Sequence, residues 1–467
     1  MALPPAHFAC SRFGMGPRPG EVDTIGDDPQ RWLLAQIGPP GPQERALDDL
    51  GTHLALWTEA LASRAAQETA EEKKATHVLV RRIIQREAAA RLAFASGTDA
   101  PFRERWVRFW SRHFAVSAGK SRIAPMVGAY EREAIRPHAF GPFGTLLKAA
   151  VTHPAMLIYL DNDASIGPLS RAGRKRSRGL NENLAREVLE LHTLGVDGGY
   201  TQHDVQALAA ILTGWGIFRP TPDGLAAQGT RPVTTGMRFR PGTHEPGPKE
   251  LLGVRVREGG AAELDTALTM LANHPRTAHH LATRLAVHFV ADSPPSHVID
   301  AIAAEFTRSE GNLGSVARFM VTHGPVWEAA AAPTHRKLRT PEDLVVATAR
   351  ALNLHTLPRQ GELGKDWAHG VARALKPLGQ PDFEPPSPAG WPDQAPAWSG
   401  ADQLLRRIEF AETMARRHRG QVTDPPPWAA DILGPRAPTS TLAAVAEAPE
   451  HPIAVAIVLA SPAFQWR

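Results

Sequence analysis

Apolar residues recur at intervals of three and four along most of this chain, which is the spacing of helices that bury one face. Leu47, Leu50, Leu54, Trp57 and Leu61 form one such series. Comparable series predict the following helices: 29–37, two between 42 and 95, one from Pro101, two between 125 and 160, 261–273, 275–290, 296–309, 313–322, 341–352 and 401–417. The pattern predicts a mainly α fold, that of a multi-helical globular protein.

Polar and apolar residues alternate, as in strands, in 237–240 and 250–256. This alternation predicts a small β-hairpin inserted near residues 236–257. Residues 356–400 are rich in Gly, Pro and Trp, and we expect Trp391 and Trp398 to dock on the helical body. We therefore expect a main helical domain, 1–355, that includes the hairpin. The remainder, 356–467, is predicted to pack on that domain through its own helices.

Composition narrows the class of protein. The 467 residues are 43% hydrophobic and 21% charged, with a net charge of only +4, so a soluble globular protein is indicated and a dedicated nucleic-acid binder is not. Cys10 is the single cysteine, which excludes an intramolecular disulfide. No apolar run is long enough to span a membrane. The first residues do not resemble a signal peptide, so we expect a cytoplasmic protein unless an export signal lies upstream.

The helix from Pro101 reads FRERWVRFWSRHFAVS and has two kinds of surface. One is a broad aromatic face, which we assign to core packing rather than to stacking on a ligand: Trp106, Phe109, Trp110 and Phe114. The other sides carry basic residues: Arg105, Arg108, Arg112 and His113. A solvated basic face is the ordinary explanation of these residues, and contact with an anionic group is the alternative.

The densest set of polar residues lies in 181–215, NENLAREVLELHTLGVDGGYTQHDVQALAAILTGW. On a regular helix, Asn183, Arg186, Glu187 and Glu190 fall within about a third of a turn. The opposite side is apolar and consists of Leu184, Val188, Leu189 and Leu191. His192 projects into this apolar side. Arg186 is four residues from both Glu182 and Glu190, so one arginine can bridge two glutamates.

Glu187 is not explained by that bridge. It places a second carboxylate three residues before Glu190, and close carboxylates cost stability unless a cation or a shared proton relieves them. The pair therefore suggests a metal site or an acid–base pair, and a structural ion network is the competing interpretation. No HExxH, Gly-rich phosphate loop or GxSxG motif suggests another chemistry.

The remainder of the stretch is mostly explained by folding. Gly195 suits a left-handed helix cap, and Thr201 with Asp204 predicts a capping box. The second helix is expected to end near Gly214, with Trp215 closing the core. His244 lies in RPGTHEPGPKELLG, and Lys249 belongs to the same stretch. A histidine among glycines and prolines has no helical role, so we consider it the best ligand or proton-transfer candidate among the histidines.

Several stretches together resemble the bacterial domain of unknown function 1800 family. The central stretch is similar to that family's signature, as are HFACSRFGMGPRPGE, RWVRFWSRHFAVS, HPAMLIYLDNDAS, FRPGTHEPGPKELLG, KLRTPEDLVV and the late FEPPSPAGWP. The resemblance implies a mainly helical fold, export in many members, and a sulfatase-like partner of the domain of unknown function 1501 family. Positions that coincide with the family's motifs are Asn181, Glu182, Asn183, Arg186, Glu187, Glu190, His192, Asp204, Trp215, His244 and Lys249.

Two functional hypotheses follow. The first is a hydrolase-like enzyme acting on a polar polymer or ester, with Glu187, Glu190 and His244 as catalytic residues. Its substrate would be bound by Asn183, Arg186, Lys249 and Trp215, and a divalent metal is one interpretation of the carboxylates. The alternative is a non-catalytic binding or assembly protein that works with the sulfatase-like partner. Convergence of the two glutamates and His244 on an open pocket would favour the enzyme.

Overall fold

Proline at a first helical turn starts many of the helices, because its fixed φ suits that position and its missing N–H is not needed there. We describe the fold from a computed structural model that covers residues 5–65, 69–176, 179–217, 236–354 and 373–467. Its helices up to residue 176 are Pro5–Phe8, Glu21–Ile25, Pro29–Leu34, Pro42–Arg45, His53–Ala65, Ala70–Gly97, Pro101–His113, Val127–Tyr130, Phe143–Thr152, Pro154–Tyr159 and Gly173–Arg176. One helix ends at Thr152 and the next begins at Pro154, because a residue before proline, here His153, is disfavoured in helical geometry.

The later helices follow the predicted order, with additions between and after them. They are Asn183–Glu187, Gln202–Leu212, Ala262–Ala272, Pro275–Phe289, Ser296–Arg308, Leu313–Thr322, Gly324–Ala331, Pro341–Ala351, Ala401–Arg417, Pro425–Leu433, Thr439–Ala446, His451–Ala460 and Pro462–Gln465. Short 3₁₀ turns join several of them. The mainly α fold class is confirmed. Among the described residues, no helix is both long and apolar enough to cross a lipid bilayer.

Within the described ranges, three helical segments have the wider π geometry, in which hydrogen bonds join residues five apart. They are Ala9–Phe13, Glu131–Ile135 and Val188–Thr193. The third continues the helix Asn183–Glu187, and its last bond runs from the Leu194 N–H to the Leu189 carbonyl. π segments are rare and are often found at functional sites.

In the part of the chain that the structure describes, the β structure consists of two antiparallel pairs. Trp215–Ile217 pairs with Met237–Phe239, and Lys249–Leu251 pairs with Val254–Val256. The hairpin insertion is therefore confirmed near 236–257, but its two predicted strands do not pair with each other. Residues 237–239 join the end of the central stretch instead, because Gly214, at φ +85°, turns the chain out of its helix and aligns Trp215 with Phe239.

Among the described residues, two large apolar clusters form the core. The first surrounds the aromatic face of Pro101–His113, as predicted, with Trp106 and Trp110 fully buried. The second joins Pro341–Ala351 to the helices after residue 401, and Met15 and Leu92 contribute to it. Trp398 is buried against Leu338, with Trp391 beside it, as expected of docked tryptophans. The proposed division at 355/356 falls outside the described residues and stays a prediction.

Candidate functional site

The predicted face of the central stretch is an ion-pair chain. Arg186 contacts Glu182 at 3.1 Å and Glu190 at 3.6 Å, so the predicted double bridge forms. The Gln202 amide donates to Glu182 at 2.7 Å and ties this helix to the next one. Asn183 is exposed, and its backbone N–H donates to the Asn181 side chain at 3.0 Å.

Glu187 and Glu190 are close enough to affect each other. Glu187 is half-buried, and burial raises its pKa, with a further increase from the Glu190 charge that Arg186 partly offsets. Glu190 also accepts a hydrogen bond from Tyr200, whose pKa is raised to about 12 by burial and by that contact. The structure thus brings the predicted carboxylates together.

His244 lies in a second cluster with Lys249 and Glu263. Its Nδ1 is 2.8 Å from the Thr213 carbonyl, and its Nε2 is 3.0 Å from Glu263 Oε1. Lys249 donates to Glu263 Oε2 at 2.7 Å, while the N–H groups of Gly259 and Gly260 donate to Oε1 at 3.0 Å. Burial tends to raise the pKa of Glu263, and these donors bring it below its usual range.

The two predicted halves of the site are not joined by direct contacts. Between the parts of the chain that the structure describes, no hydrogen bond or ion pair links His244 or Lys249 to Glu187 or Glu190. Trp215 is buried against Phe239, with ring centroids 5.3 Å apart. Glu263 was missed in the sequence because nothing in its own helix marks it as the partner of a histidine in a loop. The catalytic and substrate-binding roles assigned to these residues stay predictions.

The prediction of a solvated basic face on Pro101–His113 is wrong. Arg105, Arg108, Arg112 and His113 are all buried. The aromatic side faces the core, and other segments of the chain cover the basic side. Every arginine on the basic side contacts a carboxylate or a carbonyl. Arg108 donates to Glu342 at 2.6 Å and to Glu104 at 2.7 Å. Contact with anionic groups, the alternative interpretation, is what the structure contains.

Glu342 is the most heavily paired of these carboxylates. Arg91 and Arg108 both contact its Oε1, and Arg112 donates to its Oε2 at 2.7 Å. Burial opposes ionisation, but the three guanidinium groups lower the pKa of Glu342 to about 2. Glu342 therefore carries a full negative charge at neutral pH, inside the protein.

A second layer of ion pairs surrounds this centre. Glu131 accepts from Arg91 at 2.7 Å and from Arg136 at 2.6 Å, and Arg136 also donates to Glu104 at 2.7 Å. Burial opposes ionisation of Glu131, and Arg91 and Arg136 shift its pKa far below the usual range. We refer to Arg91, Arg108, Arg112, Arg136, Glu104, Glu131 and Glu342 as the ion network.

A cavity of about 60 Å³ with both charged and apolar walls adjoins the ion network. Its charged and hydrogen-bonding walls are provided by Arg91, Arg112, Glu342, Gln380, Asp382, Ser111 and Tyr130. A space of this size holds a few water molecules or a small polar group rather than a polymer chain. Phe383 and Trp391 complete the wall, and the Arg91 guanidinium lies 5.8 Å from the centre of the Phe383 ring.

Asp382 is the carboxylate in this cavity that is not held by an ion pair to another described residue. It is half-buried. Burial raises its pKa to about 7, with a further increase from the Glu342 charge and partial compensation by Arg91 and Arg108. Two neighbouring carboxyl groups thus have widely different pKa values, which is the condition for an acid–base pair.

Segments far apart in the sequence meet at this cavity. RWVRFWSRHFAVS provides Ser111 and Arg112, KLRTPEDLVV provides Glu342, and the late FEPPSPAGWP stretch, which follows Asp382, provides Trp391. These stretches carried the family resemblance, yet sequence reasoning placed the site in the central stretch and in the loop of His244 and Lys249. The available signal was a helix with an aromatic face and arginines on its remaining sides, since such a helix has no face left for water.

Within the described ranges, one group of three His, Cys, Asp or Glu side chains has ligand atoms close enough to share a metal ion: His53, Glu133 and His153. Glu187, Glu190 and His244 do not belong to it. This group lies beside the cavity, because the Tyr130 ring in the cavity wall is 5.1 Å from the His153 ring.

Comparison with known proteins gives a family and no described activity. A family model with the description "Protein of unknown function (DUF1800)" matches residues 8–466, nearly the whole chain. Neither a curated protein nor a solved structure gives a significant match.

Proposed function

The chain belongs to the DUF1800 family, and we propose that it is a hydrolase-like enzyme in which Asp382 acts as the acid–base group. The observation that carries this proposal is the position of Asp382. It is a half-buried carboxyl in a cavity with charged walls, without an ion pair to another described residue, beside a glutamate that three arginines keep ionised.

The chemistry follows from the position of each group. A carboxyl with a pKa of about 7 is present in both forms at neutral pH, so it can accept a proton and return it. Asp382 would take a proton from a water molecule as the water oxygen attacks an ester carbonyl. It would then pass that proton to the departing alcohol oxygen. Arg91 and Arg112 in the cavity wall would stabilise the negative charge that develops on the carbonyl oxygen.

The cavity limits the substrate to a small ester or to the end group of a polar polymer. A volume of about 60 Å³ admits the reacting group and its water but not the middle of a chain. This narrows the class of substrate predicted from the sequence without changing the type of reaction.

The test compares Asp382→Asn with wild type on a panel of esters and polar polymers. We expect the variant to lose about 10²- to 10⁴-fold in kcat/KM, the usual contribution of a general acid–base group. The wild-type rate should change with a midpoint near pH 7. Glu384→Gln, an exposed carboxylate two residues away, is the control, and we expect it to retain most of the activity.

Folding and chemistry can be separated in this experiment. Burial penalises the charged form of Asp382, so the asparagine variant should be at least as stable as wild type above pH 7. Full activity in Asp382→Asn would contradict the proposal. If Glu187→Gln or Glu190→Gln abolished turnover instead, the chemistry would belong to the central stretch, as the sequence predicts.

A binding or assembly function is the second candidate, because one surface of the protein is apolar and exposed. Leu404, Leu405 and Ile408 on Ala401–Arg417 are exposed, as is Ile453 on His451–Ala460. The groove between these helices has a volume of about 280 Å³. The sulfatase-like DUF1501 protein that the resemblance implies is the expected occupant. This candidate predicts that Leu405→Lys weakens co-purification of the two proteins and leaves hydrolysis unchanged.

A further inference from the structure

Three polar side chains from separate segments meet beside the cavity. His53 begins His53–Ala65, Glu133 lies in the π segment Glu131–Ile135, and His153 precedes Pro154–Tyr159. His53 Nδ1 and His153 Nε2 both face Glu133 Oε2, the latter at 3.5 Å. The two imidazole rings lie 4.6 Å apart.

The separation of these atoms fits a shared ion. Two ligand atoms that bind one Zn²⁺ ion at about 2.0–2.1 Å with tetrahedral angles lie about 3.3 Å apart. The 3.5 Å between His153 Nε2 and Glu133 Oε2 is close to that value. His53 Nδ1 lies nearer to Glu133 Oε2 than this, so the contact has to widen when an ion enters.

Two of the three side chains are buried, and a hydrogen bond holds the third in place. His53 and His153 are buried, and His153 Nε2 has no hydrogen-bond partner among the described residues. The His53 backbone N–H donates to Glu133 Oε1 at 2.7 Å, which fixes the carboxylate and leaves Oε2 for the two rings. Such support behind a ligand is the usual arrangement at metal sites.

We propose that His53, Glu133 and His153 form a binding site for a divalent transition-metal ion, with Zn²⁺ as the representative. Two imidazole nitrogens and one carboxylate oxygen are a typical ligand set for such ions, and three protein ligands leave a further position open. Since Tyr130 contacts His153 and also lines the Asp382 cavity, the ion would lie one side chain away from that cavity. The site does not depend on the hydrolase proposal.

Metal binding has a specific consequence for His153. Its Nδ1 accepts the Ala155 N–H at 3.1 Å, so in the metal-free chain the proton of the neutral ring is on Nε2. An ion on Nε2 moves that proton to Nδ1 and removes the acceptor of Ala155. Zn²⁺ should therefore change the tautomer of His153, which ¹⁵N chemical shifts of the ring nitrogens report.

The experiment uses the full chain after treatment with a chelator. Isothermal titration with ZnCl₂ should give one ion per chain, and Co²⁺ at the same site should give visible absorption bands. Glu133→Gln should weaken Zn²⁺ binding more than about 100-fold, because loss of a supporting partner alone already costs 10- to 100-fold. Circular dichroism establishes that the variant is folded, and the Glu133→Gln amide oxygen can still accept the His53 N–H.

His203→Gln is the matched control, because His203 is exposed at the start of a helix and lies outside the cluster. Its Zn²⁺ affinity should equal that of wild type. The proposal is overturned if wild type binds no Zn²⁺ at 100 µM, if Glu133→Gln binds as tightly as wild type, or if His203→Gln and Glu133→Gln lose affinity equally. An unchanged His153 tautomer at saturating Zn²⁺ also overturns it.

Discussion

At the scale of single residues, Glu342 shows how a buried charge can be fully paired with charges of opposite sign. Its two oxygens contact Arg91, Arg108 and Arg112, and none of the four side chains is exposed. The attraction offsets the cost of removing the charges from water only while every partner is present. Loss of the Glu342 carboxylate would therefore destabilise the protein chiefly because the buried arginines would be left without a counter-charge.

Replacing Glu342 by glutamine should lower the free energy of unfolding by about 3–5 kcal/mol, the usual result of breaking a buried ion pair. Glu412→Gln is the control, because Glu412 pairs with Arg416 at 3.5 Å on the surface, where both side chains are more than half exposed. That change should cost less than about 1 kcal/mol. Urea denaturation measures both values. Equal and small losses would mean that the ion network is not a unit of stability.

The same residues mark the limit of the sequence at this scale. Arg108 meets Glu342 across 234 positions of chain, and no local spacing contains that information. The pair of Arg186 with Glu182 and Glu190 was predicted, because its members lie four residues apart on one helix. Local partners can be predicted from spacing, and distant partners require the fold.

At the scale of elements, Asp204 connects a helix to a hairpin. Its Oδ2 accepts the Thr201 N–H at 2.8 Å and completes the predicted capping box, which is confirmed. Its Oδ1 accepts the Leu252 N–H at 2.6 Å, in the turn between Lys249–Leu251 and Val254–Val256. Burial tends to raise the pKa of Asp204, and these hydrogen bonds lower it below its ordinary value. The carboxylate thus has two structural roles, of which spacing revealed one.

Asp204→Ala should therefore cost more stability than Thr201→Ala. Loss of the cap alone is worth about 1 kcal/mol, and loss of the Leu252 contact should add about 1–2 kcal/mol because that N–H is then left unpaired. Thermal unfolding of the two variants provides the comparison. Hydrogen exchange of the Leu252 amide should be faster in Asp204→Ala and unchanged in Thr201→Ala. Equal destabilisation in both variants would rule out the second role.

At this scale, the predicted pairing of the strands differs from the pairing in the structure. Alternation of polar and apolar residues identified 237–240 and 250–256 as extended, but alternation does not specify which strand is the partner. The partner of Met237–Phe239 is Trp215–Ile217, which directly follows a helix and is too short to show a pattern. Helix bounds were predicted more closely, because proline and capping residues mark them locally.

At the scale of the whole molecule, buried neutral histidines make stability depend on pH. Burial lowers the pKa of His192 to about 3 and that of His288 to about 4, the latter despite its contact with Asp393. These values lie below the roughly 6.5 of an unfolded chain. The stability that such groups contribute is complete above pH 6.5 and is lost as the pH falls toward their folded pKa values.

The free energy of unfolding should therefore decrease between pH 7 and pH 4, before most carboxylates titrate. His192 is fully buried, with its ring centre 4.9 Å from that of Phe114. His192→Leu keeps a similar volume and cannot be protonated, so it should lose about 3 kcal/mol less than wild type over this range. Urea denaturation at pH 7, 5.5 and 4 tests this. Parallel pH profiles for the two proteins would show that His192 does not contribute.

The three π segments also have a consequence for the phase of the helices. A turn closed by a bond between residues five apart contains about one residue more than an α turn, so each following side chain is rotated by about 100°. Removing one residue from Val188–Thr193 would therefore change the direction of the following side chains around the helix axis more than it would change the length of the helix. It would turn Thr193 and Leu194 onto new faces before the chain reaches Gly195. In the same way, Glu131 and Glu133 reach different neighbours, the ion network and the two histidines, from a single wide turn.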